Sequence, residues 1–277
     1  MARYDVLGNI VIVKFGREEK LRDKKKFAEE FLKLHKNIET VLEKSDKFKG
    51  RLRTQSTKWI AGEKNKEVLY RENGCVFRMN VDSCYFSPRL STDRLDVAGK
   101  IKKGENVLVM FGGVAPYAIV IAKHSKAKKI VSVELGRECS KYASENVKRN
   151  KLTNVETIQG NVRKTPLGVH QGGARHQNPG GKVFGEKYFK KIKFDRIMMA
   201  RPNLKDSFLD VAFSIIKKNG TIHYHGFYHE DEKAGMLEMI KSEAEKAGKK
   251  IRILKVKKAC DIGIRRWRYR VDFKVLN

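Results

Sequence analysis

The sequence predicts an α/β fold in which a small α+β domain precedes a mostly parallel, doubly wound sheet. Three observations predict it: strand-like and helix-like segments alternate repeatedly in the second part of the chain, the first part mixes one amphipathic stretch with short alternating runs, and the 277 residues are enough for two unequal domains. We place the small domain at residues 1–84 and the sheet domain at residues 85–277.

The small domain begins with two predicted strands in "YDVLGNIVIVKF", which turn at the glycine and asparagine. A helix is predicted between residues 18 and 43, because apolar residues recur there at intervals of three and four. These residues are Phe27, Phe31, Leu34, Ile38 and Val41. The alternating segments 50–63 and 66–81 predict further strands. Many lysines and arginines in this part favour a binding role over a catalytic one.

The large domain is predicted to repeat a strand and a helix. The predicted strands are 105–111, 128–135, 155–161, 193–200 and 221–227, and the helices are 117–124, 137–152, 206–220 and 230–250. Segments 251–259 and 268–276 close the chain as a strand pair. The glycine-rich segment 165–186 has no hydrophobic period, which predicts a long loop that is either mobile or functional.

The charge of the chain indicates a polyanionic partner. The net charge is +29, from 61 Lys and Arg against 32 Asp and Glu, and nucleic acid is the commonest polyanion. An anionic membrane surface and an unusually basic proteome are the alternatives. No apolar run is long enough to span a membrane and the N-terminus lacks the order of a signal peptide, so we expect a soluble, cytoplasmic protein that does not bind membranes.

The cysteines and histidines do not indicate a metal. The four cysteines have no CxxC spacing, which favours free, mostly buried thiols in a reducing compartment. His223, His225 and His229 form H-x-H-x3-H, and the first two share a face of a strand. We expect them to lie near a pocket, with a metal site as the lesser alternative.

A glycine loop and an acidic residue lie where an open α/β sheet binds its ligand. Gly113 belongs to the loop after the first large-domain strand, Glu134 ends the second, and Asn161 follows the third. A carboxylate at the end of the second strand accepts hydrogen bonds from ribose hydroxyls. The sequence lacks both G-x-G-x-x-G and a P-loop, so a nucleoside cofactor such as S-adenosylmethionine is favoured over NAD or ATP.

The predicted joint between the two domains carries Arg89, Asp93 and Arg94 in "YFSPRLSTDRLDVA". This group of charges is either an ion network between the domains or a site beside the cofactor edge.

The segments "YFSPRLSTDRLDVA", "VLVMFGGVAPYAIVIAK", "VSVELGRECSKYASENVKRNKL", "NVRK" and "IHYHGF" resemble the archaeal and eukaryotic tRNA guanosine-37 N1-methyltransferases. The aminocarboxypropyl transferases of wybutosine synthesis share much of this pattern. "YDVLGNIVIVKF", "FLKLHKNIETVLEKS" and "RENGCVFRMNV" resemble the family's middle domain, so we expect its N-terminal tRNA-elbow domain to be missing. The resemblance covers nearly the whole chain and implies a class I methyltransferase, Rossmann-like sheet.

The resemblance also implies roles for single residues. Asp93, where the family has glutamate, would be the general base for the guanine N1 proton, and Arg53 would steady charge on O6. The residues implied at the cofactor are Tyr85, Arg89, Phe111, Gly113, Glu134 and Asn161, and those implied at the target guanine are Arg201, Pro202 and Asn203.

The chain departs from the family pattern at several of these strand ends. Val109 and Asn161 stand where the family has aspartate, and Ala115 where it has glycine. "ARP" replaces "NLP", so Ala200 stands where the family positions the guanine with asparagine. Arg201 or Asn203 could donate to the guanine instead, and Arg201 could equally bind a backbone phosphate.

The implied function is S-adenosylmethionine-dependent methylation of N1 of guanosine 37 in tRNA, by a monomer that needs no metal. The first alternative is transfer of the aminocarboxypropyl group of the same cofactor to a wybutosine precursor in tRNA. The second is an RNA-binding protein on a methyltransferase scaffold that has lost catalysis.

Overall fold

The structure is a computed structural model that describes residues 3–16, 18–45, 54–163, 192–201 and 203–277. The predicted loop 165–186 and two predicted site residues, Arg53 and Pro202, lie outside the described residues.

The small domain holds a four-stranded sheet with one helix packed on it. Its elements are β1 (Arg3–Leu7), β2 (Ile10–Lys14), α1 (Leu21–Leu34), β3 (Thr40–Lys44) and β4 (Thr57–Gly62). The strands lie in the order of the sequence, with β2 and β3 parallel and the other pairs antiparallel. The predicted turn between β1 and β2 is confirmed, with Gly8 at a φ of +55°.

The helix of this domain is shorter than predicted. Phe31 is buried in the core, but Leu34 ends the helix and is exposed, and Val41 lies on β3. The backbone N–H groups of Glu39 and Thr40 donate to the carbonyl of Asn9, at 2.8 and 3.2 Å. These bonds place the segment in the sheet as β3. The apolar residues continue at helical spacing into β3, but pairing with the neighbouring strand determines its structure.

The large domain is built on a seven-stranded sheet, which confirms the predicted α/β fold. Its strands are β7 (Asn106–Met110), β8 (Lys129–Glu134), β9 (Val155–Gln159), β10 (Phe194–Met199), β11 (Ile216–His229), β12 (Ile251–Gly263) and β13 (Arg266–Val275). They lie in the order β12-β13-β11-β10-β7-β8-β9, and β13 runs antiparallel to both of its neighbours.

Helices cover both faces of this sheet. They are α2 (Ser91–Ala98), α3 (Pro116–His124), α4 (Arg137–Arg149), α5 (Leu209–Ile215) and α6 (Lys233–Lys246). Residues of α3 and α4 share one buried core with Val107 and Val109, whereas α5 and α6 share the other with Leu108 and Met110. Successive residues of β7 therefore pack into opposite cores, as expected for a parallel sheet covered on both faces.

The helix before β11 ends earlier than predicted. We expected it to reach Gly220, but α5 ends at Ile215 and β11 begins at the next residue. Ile216 pairs with Phe194 of β10, and Asn219 has a φ of +63°, which an α-helix does not accommodate. Pairing with the sheet thus competes successfully with the helical pattern of the segment.

A hairpin connects the two parts of the molecule. It consists of β5 (Glu67–Glu72) and β6 (Cys75–Asn80), joined by Asn73 and Gly74, both at positive φ. The side chain of Asn146 on α4 accepts from the N–H of Arg78 at 2.7 Å and donates to its carbonyl at 3.0 Å. The hairpin therefore packs on the large domain, although the predicted boundary lies after it, at residue 84; that boundary stays a prediction.

The prediction of four free thiols was wrong. Cys84, before α2, and Cys139, on α4, form a disulfide with their Cα atoms 5.4 Å apart, whereas Cys75 and Cys260 are free. The two partners are 55 residues apart in sequence, and the docking of α4 brings them together. No helix in the described part of the chain is both long and apolar enough to cross a membrane.

Candidate active site

A pocket opens at the carboxyl ends of the large-domain strands, where an open α/β sheet binds ligands. Its empty volume is about 1050 Å³, a figure that includes solvent space at its mouth. Its lining comes from the loops after β7, β9 and β10, the ends of β8, β11 and β13, and the segment that leads into α2. The residues that carry its chemistry are Tyr85, Arg94, Phe111, Gly113, Tyr117, Glu134, Asn161, Arg201, Phe227 and Arg268.

The loop after β7 brings the backbone close to the pocket. A Cβ on Gly112 would lie 2.1 Å from the Ser132 hydroxyl oxygen, so any other residue there would force that hydroxyl to move. Gly113 has a φ of +55° and open space beside it, since a Cβ would meet only the Tyr85 carbonyl at 3.7 Å. Ala115 also has a positive φ, of +67°, which accounts for the glycine that the family resemblance predicts at this position.

Glu134 is the last residue of β8 and lines one end of the pocket. In nucleoside-binding sheets an acidic residue at this place binds the ribose. Its carboxylate accepts the N–H of Gly113 at 2.8 Å and the N–H of Gly136 at 2.7 Å. Burial raises the pKa of this carboxyl group, although both backbone N–H groups lower it. Glu134 is the only carboxylate among the described lining residues. This acceptor fits the ribose of a nucleoside cofactor, because carboxylate lone pairs remain for the ribose hydroxyls.

Arginines surround the opposite end of the pocket. Arg94 is neutralised by Glu72, with its Nε and one terminal nitrogen each 2.5 Å from a carboxylate oxygen. Arg201 and Arg268 are both 3% exposed, and neither forms an ion pair with a described carboxylate. Arg201 donates to the carbonyls of Leu204 and Asp206, and its Nε has no hydrogen-bond partner within the described residues. This end therefore presents unbalanced positive charge, which favours a ligand with acceptor oxygens.

Asp93 lies beneath the pocket rather than in its lining. Its carboxylate is 1% exposed and receives hydrogen bonds from Arg270 at 2.6 Å, Tyr117 at 2.7 Å and His225 at 3.1 Å. Burial alone would raise its pKa, but His225 and Arg270 together hold the pKa of Asp93 well below its usual range. A carboxylate in this setting is a weak proton acceptor, and its predicted role as general base stays a prediction.

The structure brings most of the predicted cofactor residues together. Those that line the pocket are Tyr85, Phe111, Gly113, Glu134 and Asn161, and Arg201, predicted at the target guanine, lines it as well. Arg89 does not: it sits in a short 3₁₀ turn, and its exposed guanidinium donates to Asp5 of β1 at 2.9 Å. Asn203 is exposed and also lies outside the lining. The prediction that Arg89 contacts the cofactor does not fit this geometry, because the turn directs it towards the small domain.

Sequence reasoning missed Phe227 of β11 and Arg268 of β13, although it expected His225 near a pocket. Phe227 and Arg268 line the pocket, and His225 lies directly behind Arg268. The signal was present, because the alternation in "HYH" and "RYR" places His225 and Arg268 on inward-facing sides of neighbouring strands. Among the described residues, no group of three or more His, Cys, Asp or Glu side chains could hold a metal ion.

Two family models match the chain. Residues 68–172 and 185–254 match the TRM5/TYW2 methyltransferase domain, and residues 1–65 match the TYW2 N-terminal domain.

Three similar proteins come from archaeal sources. A tRNA (guanine(37)-N(1))-methyltransferase, Trm5b, from Pyrococcus abyssi is 34% identical over 98% of this chain and 74% of its own length. A tRNA (guanine(37)-N(1))/4-demethylwyosine(37)-methyltransferase, Taw22, from Nanoarchaeum equitans is 32% identical over 99% of each chain. A tRNA(Phe) (4-demethylwyosine(37)-C(7)) aminocarboxypropyltransferase from Methanocaldococcus jannaschii is 29% identical over 98% of this chain and 97% of its own.

Solved structures agree with this fold along the chain. The crystal structure of Trm5b from Pyrococcus abyssi superposes with a TM-score of 0.81 at 33% identity, over 99% of this chain and 75% of that one. A complex of aTrm5 with tRNALeu gives a TM-score of 0.80 at 25% identity, over 99% of this chain and 72% of the other.

Proposed function

Because the chain belongs to the TRM5/TYW2 methyltransferase family, whose members use S-adenosylmethionine, we propose that it methylates N1 of guanosine 37 in tRNA. One observation carries the proposal: a single pocket joins a nucleoside-binding end at Glu134 to a cationic end at Arg201 and Arg268. A donor and a target base held at these two ends would meet inside it. The 34% identity to a tRNA (guanine(37)-N(1))-methyltransferase supports the same activity.

The cofactor end of the pocket binds and orients the donor in this proposal. S-adenosylmethionine supplies an electrophilic methyl group on a sulfonium, which leaves as a neutral thioether. Glu134 accepts hydrogen bonds from the ribose hydroxyls, and Phe111 and Tyr85 provide apolar surface. The Gly113 backbone lies open to the ligand because no side chain shields it.

The target end receives the guanine after it leaves its stack. Methylation breaks the bond between the donor sulfur and the methyl group, forms the N1–methyl bond and releases the N1 proton to water at the open mouth of the pocket. The negative charge that develops as the proton leaves is shared with O6. Cations at Arg201 and Arg268 stabilise that charge. Asp93 is connected to this end by hydrogen bonds from Tyr117 and His225, which lie between its carboxylate and the pocket.

The basic surface and the small domain bind the RNA in this proposal. The net charge of +29 favours contact with phosphates. We propose that residues 1–84 form the domain that grips the tRNA, and that the β5–β6 hairpin transmits its position to the large sheet through Asn146.

The test uses S-adenosylmethionine that carries one label in the methyl group and a different label in the aminocarboxypropyl chain. The substrate is a tRNA transcript with guanosine at position 37, and a transcript with adenosine there is the matched control. We expect only the methyl label to enter the guanosine transcript, with 1-methylguanosine after nuclease digestion and mass analysis. No label in that transcript, from protein shown by calorimetry to bind the donor, would contradict the proposal.

Aminocarboxypropyl transfer is the second candidate. Residues 1–65 match the TYW2 N-terminal domain, and the engagement of Asp93 by three partners removes the obvious base for an N1 proton. The same labelled donor distinguishes the two activities. On tRNA that carries 4-demethylwyosine at position 37, transfer of the chain label without the methyl label would establish this activity instead.

A further inference from the structure

Arg268 is a buried arginine whose donors are mostly unused by the protein. It lies on β13 and lines the pocket, with a guanidinium centre 5.0 Å from the ring centre of Phe227. Among the described residues, its side chain makes one hydrogen bond, from Nε to His225 Nδ1 at 2.9 Å. A guanidinium has five N–H donors, and a buried charge is stable only with partners. The terminal nitrogens of Arg268 are therefore available to a ligand in the pocket.

The geometry fixes the tautomer of His225. Arginine donates and cannot accept, so Nδ1 of His225 is the acceptor from Arg268. The proton of the neutral ring then lies on Nε2, which donates to Asp93 at 3.1 Å. Burial lowers the pKa of His225 to about 4, and the charges of Arg268 and Arg270 act in the same direction. The histidine is neutral near pH 7 and links a carboxylate to the arginine.

Asp93 is itself held in place from the other side. Arg270 donates to it at 2.6 Å and to Asp272 at 2.8 Å, and it also contacts Asp96. Since Asp93 cannot move without breaking these bonds, the chain from Asp93 through His225 to Arg268 has one stable arrangement. That arrangement directs the free end of Arg268 towards the pocket.

Arg94 shows what an arginine with a purely structural role looks like at the same site. Two of its nitrogens are bound by Glu72, and one of them also donates to the Ser87 carbonyl at 3.0 Å. Its charge is balanced within the protein. Arg268 has neither a carboxylate nor a carbonyl partner among the described residues, so its charge remains for a ligand.

We propose that Arg268 recognises the carbonyl oxygen O6 of the target purine, with His225 and Asp93 as positioning residues. The inference rests on the proposed function, since it concerns the base that enters the pocket. The terminal N–H groups of Arg268 donate to O6, and the bond strengthens as the N1 proton leaves and charge moves to that oxygen. A carbonyl oxygen has two acceptor sites, so a second donor can bind it as well.

This contact also selects the base. Adenine presents an amino group where guanine presents O6, and two donors cannot hydrogen-bond to each other. With adenine in the pocket, the Arg268 N–H groups and the adenine amino group would both lack an acceptor. Burying two donors without acceptors costs more free energy than the loss of one hydrogen bond, so adenine is disfavoured.

The test compares wild type, Arg268→Ala and Arg268→Lys on two tRNA transcripts, one with guanosine and one with 6-thioguanosine at position 37. The second base keeps its N1 proton, but its sulfur accepts hydrogen bonds weakly. On the guanosine transcript we expect Arg268→Ala to lower kcat/KM roughly a hundredfold and Arg268→Lys to restore part of it. On the 6-thioguanosine transcript we expect wild type and Arg268→Ala to differ by no more than a few-fold.

The positioning role of His225 has its own readout. Glutamine can accept from Arg268 and donate to Asp93 as the neutral imidazole does, whereas leucine can do neither. We expect His225→Gln to keep most of the kcat/KM and His225→Leu to lower it about tenfold. The double variant His225→Leu/Arg268→Ala should have the same kcat/KM as Arg268→Ala alone. Arg252→Ala, at the far end of the neighbouring strand and exposed, is the control for removing an arginine. Melting temperatures check folding, and Arg268→Lys replaces Arg268→Ala in the comparison if the latter does not fold.

Three results would overturn the inference. One is an equal loss on both transcripts. Another is calorimetry without RNA in which Arg268→Ala weakens binding of S-adenosylmethionine, since the arginine would then hold the donor's carboxylate. The third is an Arg268→Ala protein as active as wild type on guanosine. Wild type that methylates neither transcript would instead show that the proposed function fails, and the inference with it.

Discussion

Acid should destabilise this protein through His225, beginning near pH 6.5. The ring is fully buried and neutral, and its pKa is about 4 in the folded protein against an ordinary value of 6.5. It faces Asp93 on α2, Tyr117 on α3, and Arg268 and Arg270 on β13. Between pH 6.5 and 4 the unfolded chain binds a proton that the folded protein refuses, so stability falls as the pH is lowered.

The size of the effect follows from the two pKa values. The difference between 6.5 and about 4 corresponds to about 3 kcal/mol of unfolding free energy, of which about 2 kcal/mol is lost by pH 5. The loss ceases below pH 4, where both states are protonated. Burial lowers the pKa of His223 as well, which adds to the loss, while the raised pKa of Glu134 opposes it. Asp93 and Asp272, with lowered pKa values, lose their contribution only as the pH falls below the usual carboxylate range.

The assay is urea unfolding at a series of pH values from 7 to 4, with wild type and His225→Gln measured side by side. Glutamine preserves both hydrogen bonds but does not titrate, so the difference between the two proteins isolates His225 from the other groups. We expect wild type to lose about 3 kcal/mol more than the variant over this range. Parallel curves for the two proteins would mean that His225 is not held neutral, which would refute the tautomer on which the orientation of Arg268 depends.

Two further predictions concern the cofactor end and the disulfide. Glu134→Ala should raise the dissociation constant of S-adenosylmethionine about tenfold in calorimetry without RNA, because the ribose hydroxyls lose a charged acceptor; an unchanged constant would place the ribose elsewhere. Reduction of the Cys84–Cys139 disulfide, or Cys84→Ser, should destabilise the protein by up to about 4 kcal/mol from the entropy of its 55-residue loop. A melting temperature that is the same with and without reductant would contradict this, and Cys260→Ser is the matched control for loss of a thiol.

The regular elements of the fold could be predicted because their signals are local. The buried strands β7, β8 and β10 read as apolar runs, and the turn at Asn73 and Gly74 has the residues that a tight hairpin requires. The errors fell at helix ends. At Leu34 and at Ile215 the apolar period continues past the helix, and the choice between helix and strand depends on pairing with a distant strand.

The cofactor end of the candidate site could be predicted from the sequence, whereas Arg268 at its cationic end could not. Gly113 and Glu134 follow from the chemistry of strand ends and lie together as expected. Arg268 and His225 come from an antiparallel strand pair, and which of its residues reach the pocket depends on register, which a single sequence does not give. The resemblance to relatives predicts Asp93 as a base but does not include its neighbours Arg270 and His225, which change its chemistry.

In the proposed methylation of guanine N1, the engagement of Asp93 and the positive charge of the target end would act together. A carboxylate among arginines has little tendency to take a proton, so it contributes little as a base. The same carboxylate accepts the Nε2 proton of His225 and so orients the ring, and His225 directs Arg268 at the pocket. Each 1.4 kcal/mol by which a cation stabilises the O6 anion lowers the pKa of N1 by about one unit. Asp93 would thus promote loss of the N1 proton indirectly, by fixing the arginine that makes the purine a stronger acid.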